Sequence, residues 1–322
     1  MKSFLTTLIF TVFSVAYGQT NPTMRYEDKI RIREAINISN QVGDKIWKGI
    51  NEVPFVVLLV TDNIEFLINH PYPSDDFKFS ENDTILNTKI FFRPRKFPDW
   101  YLATFPAVNG VNCIVVGTPE KTNKNSTDWT ITLLHEHFHQ YQFSSPNFYK
   151  NVDSLELSGG DKTGMWQLNY LFPYENGTVI EKYKKFVSAL SKALYTIDNK
   201  SFKKNFKKYL LERNKLKNIL KPADYRYFSF QIWQEGIARY TEYKFLQNLD
   251  NYQPSKEMSK LADFINFKKY KEEFYLSQSK SLMNSKLEID KRICFYSIGF
   301  AEGLLLDKKN NKWQEKFFTD KF

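Results

Sequence analysis

The chain has 322 residues, of which 42% are hydrophobic and 17% aromatic, so it carries enough apolar material for a packed core and is not a disordered chain. Its formal charge is +10, but no nucleic-acid-binding motif accompanies that charge, which excludes nucleic acid as an expected partner. Two cysteines, Cys113 and Cys294, are too few for a disulfide framework. They can pair after export or stay as buried thiols, and the apolar run around each favours the second.

Residues 1–18 read as a signal peptide. Lys2 supplies the positive start, Phe4 to Val15 the apolar run, and Ala16-Tyr17-Gly18 the small residues before cleavage at Gln19. The run is too short to span a membrane, and no cysteine near the cleavage point offers a lipid anchor. A secreted or periplasmic protein with no integral membrane segment after signal cleavage is expected. Residues 25–50 then read as a helix, and Val53 to Val60 as a buried strand that Glu65 to Asn69 pairs with. Lys89 to Arg93 and Val111 to Gly117 read as further strands, the second preceded by the turn pair Asn109-Gly110.

After residue 125 the pattern becomes helical. Ser126-Thr127-Asp128 offers caps for a helix reaching about Phe143. Further helices are expected near 178–197, 201–219 and 224–249, with Pro222 opening the last, and near 256–283 and 289–307. Lys182, Lys184, Lys185, Lys203, Lys204, Lys207 and Lys208 form a basic stripe whose plain reading is a solvated helix face.

The chemistry concentrates in Leu133-Leu134-His135-Glu136-His137-Phe138-His139-Gln140. The chain has four histidines, and three of them fall within this stretch. On a helix, positions i and i+4 share a face, so His135 and His139 present two imidazoles at the spacing that suits a tetrahedral zinc ion. Glu136 is rotated by about 100° from His135 and is placed to take a proton from water rather than to bind metal. His137 points away from the pair, and His70, before Pro71, reads as a surface or structural histidine. A hydrolytic zinc site needs a third protein ligand and an open position. The best candidate is Glu235, in Trp233-Gln234-Glu235-Gly236-Ile237-Ala238-Arg239-Tyr240, an apolar segment in which a buried carboxylate needs a partner. Glu242 is the fallback.

The pair of motifs, His135-Glu136-His137-Phe138-His139 (the HExxH pattern) and Trp233 to Ala238, resembles the gluzincin metallopeptidases, distantly the aminopeptidase N superfamily. That resemblance implies zinc on His135, His139 and Glu235, with Glu136 as general base. It also implies an oxyanion-stabilising tyrosine. Tyr296, in Tyr296-Ser297-Ile298-Gly299, is similar to the family's Tyr-x-x-Gly and lies 61 residues after Glu235; Tyr240 is the second choice. The chain departs from the family in two places. His139 and Glu235 are 96 residues apart, so 144–232 must form extra helices that return Glu235 to the metal. The stretch Phe105 to Asn112 lacks the acid that holds a substrate's free amine in the aminopeptidases, so that activity is not implied.

The expected fold is α+β and zincin-like. It has an N-terminal helix and a mostly buried sheet leading into the HExxH helix, then a helical half, with the active cleft between 19–143 and 144–322 in one catalytic domain. The expected function is a secreted zinc-dependent peptidase acting on a peptide or protein substrate, with extended substrate added to the strand Val111 to Val116. The alternative is a catalytically inactive secreted binding protein of the same fold, docking on an anionic surface through its basic helical half.

Overall fold

The computed structural model describes residues 21–310 and 312–318, so the expected signal peptide lies outside the described residues. The architecture is α+β, a six-stranded mixed sheet followed by a helical half. Helix α1 (Tyr26–Ile46) opens it, and strands β1 (Val57–Val60), β2 (Ile64–Ile68), β3 (Lys78–Asp83), β4 (Thr88–Pro94), β5 (Leu102–Val108) and β6 (Val111–Gly117) follow. Their spatial order is β3-β4-β2-β1-β6-β5; β1 and β6 run parallel, and every other pairing is antiparallel.

Alternation sorts the sheet's side chains. Val57, Leu59, Phe66, Ile68, Ile90, Ile114 and Val116 pack with α1 and the helices beyond. Val56, Leu58, Val60, Leu67, Cys113 and Val115 form a second cluster on the opposite face, partly covered by Phe97, Tyr101 and Phe105. β1 and β6 are buried on both faces, which is why they read as continuous apolar runs. Asn109 and Gly110 both adopt positive φ (45° and 74°), giving the two-residue hairpin that pairs Val108 with Val111.

This order corrects one expectation. β6 has both edges filled, by β1 and by β5, so a peptide cannot add to Val111–Val116. The free edge on this side of the sheet belongs to β5.

Helix α2 (Ser126–Phe143) crosses between the sheet and the helical half and is buried almost all round, polar residues included. Its cap is Asn125, whose side chain accepts from the Asp128 N–H at 2.9 Å, one residue earlier than the expected caps. The freed Ser126 donates its hydroxyl to Asp263 instead. Gln140 ties the helix to the sheet by donating to the Val56 and Asn112 carbonyls at 3.0 and 2.8 Å.

Beyond it come α3 (Phe148–Asp153), α4 (Trp166–Asn169), α5 (Gly177–Tyr195), α6 (Asn199–Ile219) and α7 (Pro222–Gln231). A π-helical turn over Ile232–Gly236 leads into α8 (Ile237–Gln247), followed by α9 (Phe267–Met283), α10 (Leu287–Asp290) and α11 (Cys294–Lys309). The lysines of α5 and α6 point to solvent except Lys182, which is half-buried, and Lys185 and Lys208 pair with Glu181 and Glu212. Cys113 and Cys294 are both free and buried, and burial pushes each thiol up to about 12. No described helix is long and apolar enough to cross a membrane.

α11 meets the π turn at two glycines. A Cβ on Gly299 would stand 2.3 Å from the Gly236 Cα, and one on Gly236 would stand 2.5 Å from the Gly299 Cα. Backbone on both sides cannot yield, so Gly299→Ala is expected to cost about 1–3 kcal/mol by overpacking. Chemical denaturation checks this; an unchanged unfolding midpoint would show that the two backbones can separate.

Candidate metal centre

One turn of α2 presents His135 and His139 side by side, their Nε2 atoms 3.1 Å apart. The π turn delivers Glu235 against both, its Oε2 lying 3.7 Å from His135 Nε2 and 3.5 Å from His139 Nε2. These three form the metal-capable group found among the described residues. The helices of 144–232 therefore do return Glu235 to the histidines, as its distance in sequence required.

The far side of each imidazole is also held. His135 Nδ1 lies 2.5 Å from Glu242 Oε1, and the other oxygen of Glu242 accepts from Arg239 at 3.0 Å. Glu242 is thus not the alternative ligand; it grips the ring nitrogen that faces away from Glu235. His139 Nδ1 lies 2.7 Å from Gln142 Oε1, while Gln142 Nε2 donates to the Trp233 and Gln234 carbonyls at 3.1 and 3.4 Å. Those carbonyls belong to the π turn, whose wider winding leaves backbone acceptors open to outside partners. Both histidines are therefore oriented with Nε2 towards Glu235.

Burial opposes charge on His135, but Glu242 and Glu235 outweigh it and raise its pKa to about 9. Burial likewise opposes charge on Glu235, yet its hydrogen bonds to His135 and His139 and the Arg292 guanidinium 3.6 Å away hold its carboxyl well below the usual range.

Glu136 is buried beside the pair, and its Oε2 accepts from the Thr104 hydroxyl at 2.8 Å. Thr104 sits on β5, so the base candidate and the free sheet edge are joined by one hydrogen bond. Nothing in the sequence marks Thr104, an ordinary strand threonine.

Tyr296 enters from α11. Its ring lies nearly parallel to His135 with centroids 6.3 Å apart, and its oxygen accepts from Arg292 at 3.2 Å. Burial and the nearby Glu235 push its hydroxyl well above the ordinary tyrosine value, which keeps it a neutral O–H donor. Tyr240 is elsewhere: fully buried, it donates to Asp307 at 2.9 Å and packs on Trp313. The second choice for the oxyanion role is thereby corrected.

His137 stacks on Phe55 and hydrogen-bonds Gln140, and burial lowers its pKa to about 4. His70 is structural, accepting from the Tyr72 N–H at its Nδ1 and donating from Nε2 to the Val108 carbonyl.

Comparison with protein-family models, with curated proteins and with solved structures finds no match to this chain.

Proposed function

We propose that the protein is an exported zinc-dependent peptidase of gluzincin type with a zincin-like fold. The carrying observation is the donor triangle. Its edges of 3.1, 3.5 and 3.7 Å bracket the separation of about 3.3 Å that donors on a tetrahedral ion about 2.0–2.1 Å away would have. Two neutral imidazoles and a carboxylate suit zinc, and three protein ligands leave the open position that catalytic zinc sites keep.

When bound, zinc supplies a Lewis acid and a water acidic enough to be deprotonated near neutral pH. The chain's own residues do the rest. Glu136 takes the proton, its carboxylate steadied by Thr104. Tyr296 donates to the carbonyl oxygen as it gains charge, a contribution of about 3 kcal/mol for a well-placed donor. The free edge of β5 takes an extended peptide by main-chain hydrogen bonds and sets it above Thr104 and Glu136.

Plasma mass spectrometry of the purified mature chain is expected to find one zinc per protein, and a peptide library to show cleavage that chelation stops and zinc restores. Absence of zinc even after reconstitution would sink the reading and favour docking on anionic surfaces through the exposed lysines of α5 and α6.

Two further outcomes follow from the surroundings of the ligands. Thr104→Val frees Glu136 from its partner, so turnover should fall about tenfold with zinc content unchanged, a loss of the size seen when outer partners are removed. Parallel zinc analysis and kinetics check it. Because His135 binds a proton up to about pH 9 in the metal-free chain, zinc must displace that proton. Apparent zinc affinity should therefore rise about tenfold per pH unit between pH 7 and 9 and flatten above; competition with a chelator of known affinity at each pH measures the slope.

A further inference from the structure

We propose that the cavity beside His135 and Glu136 is a carboxylate subsite, in which Arg239 binds a carboxylate of the peptide ligand. The proposal rests on the peptidase reading and deepens it by naming the substrate class.

The cavity has a volume of about 360 Å³ and opens directly onto His135 and Glu136. Leu102 and Ile293 contribute apolar walls, while Gln278 and Ser281 of α9 contribute polar ones. Besides His135, the ionisable side chains that face it with a full charge are Lys124, Glu136, Arg239 and Glu242. Three of these are engaged through their charged ends. Lys124 is held by both oxygens of Asp128 at 3.0 and 3.1 Å. Glu242 spends one oxygen on His135 and the other on Arg239. Glu136 is held by Thr104.

Arg239 differs. One terminal nitrogen serves Glu242, but its Nε is buried and has no hydrogen-bond partner. That Nε is closed off inside the protein, but the side chain as a whole is 27% exposed and its remaining terminal N–H groups are taken by no described residue, so they can meet an acceptor in the cavity. The guanidinium is also fixed in orientation, its carbon lying 5.4 Å from the Tyr296 ring centre and 5.8 Å from that of Phe274. A planar guanidinium with terminal N–H groups to spare, at the wall of a cavity next to the reaction centre, matches a carboxylate in shape and charge. The carboxylate has two sources in a peptide: the C-terminal α-carboxylate, or the side chain of an aspartate or glutamate.

The test uses the mature chain carrying Glu136→Gln, loaded with zinc, so that peptides bind without being cleaved. Calorimetry compares one peptide sequence in three forms: a free C-terminal carboxylate, a C-terminal amide, and the amide with its last residue changed to glutamate. The free acid is expected to bind at least about tenfold more tightly than the amide. If the glutamate-bearing amide recovers that affinity, the side chain is a source as well. Arg239→Lys keeps a cation for Glu242 and removes the planar fork, so the discrimination should shrink to about twofold while zinc content holds. Should that variant lose metal, Arg239→Gln, which keeps an N–H donor for Glu242, takes its place. Equal affinity for all three peptides overturns the carboxylate subsite and leaves the peptidase reading standing. Discrimination that survives removal of Arg239 overturns it too, since the carboxylate is then held elsewhere. Failure of the zinc-loaded chain to bind any peptide overturns both.

Discussion

Glu235→Ala is expected to yield a folded chain that no longer purifies with stoichiometric zinc. Glu235 brings the single carboxylate oxygen that closes the triangle with His135 and His139, and it arrives from a different helix. Two imidazoles on one helical turn remain, and water must fill what the carboxylate held. Loss of an outer partner alone weakens metal binding about 10- to 100-fold, and removal of a direct ligand should exceed that. The fold should survive, because Glu235 is a polar side chain at the cleft while Trp233 and Ile237 carry the packing around it. Plasma mass spectrometry beside circular dichroism decides the matter; one zinc per chain in the alanine variant would remove Glu235 from the ligand set.

Glu136→Gln should do the reverse, leaving zinc in place and removing turnover. The amide matches the carboxylate in shape, and its oxygen can still accept from Thr104, so the packing between α2 and β5 is preserved. It has no basicity at neutral pH. General-base catalysis contributes typically 10²–10⁴-fold, and the rate constant for cleavage should fall by about that factor. A variant with zinc intact that cleaves at the wild-type rate would exclude Glu136 as the base.

The parts of the structure that show in the sequence are those buried on a regular period. α2 ends at Phe143 as expected, and β6 covers Val111–Gly117 as expected, since each is an apolar run bounded by turn or cap residues. β3 and β5 escaped. They are the two edge strands, and β3 is the polar run Lys-Phe-Ser-Glu-Asn-Asp while β5 carries Pro106 and a bulge. Edge strands need not be apolar, so the signal that finds central strands is missing.

The π turn escaped for a different reason. A continuous helical period runs through 224–249, and one wide turn scarcely alters it. At the site, residue types revealed which side chains gather but not which nitrogen each one faces. Glu235 and Glu242, seven residues apart, lie close to one helical face, and only the fold sends them to opposite sides of the His135 ring. Tyr296 and Tyr240 are equally plausible as types; the approach of α11 at Gly299 separates them.

The two histidines differ in what dictates their tautomers. Glu242 can in principle gain a proton, and His135 would then lose the acceptor that fixes it. His139 is held at Nδ1 by Gln142, which is not ionisable. Backbone carbonyls accept and never donate, so Trp233 and Gln234 compel the Gln142 side chain to turn its NH₂ towards them. Its oxygen then faces His139, so Nδ1 carries a hydrogen and Nε2 is left as the nitrogen turned towards Glu235. The winding of one helix thus selects the ring nitrogen that another helix offers to a metal, and it does so through groups that no accessible pH can titrate.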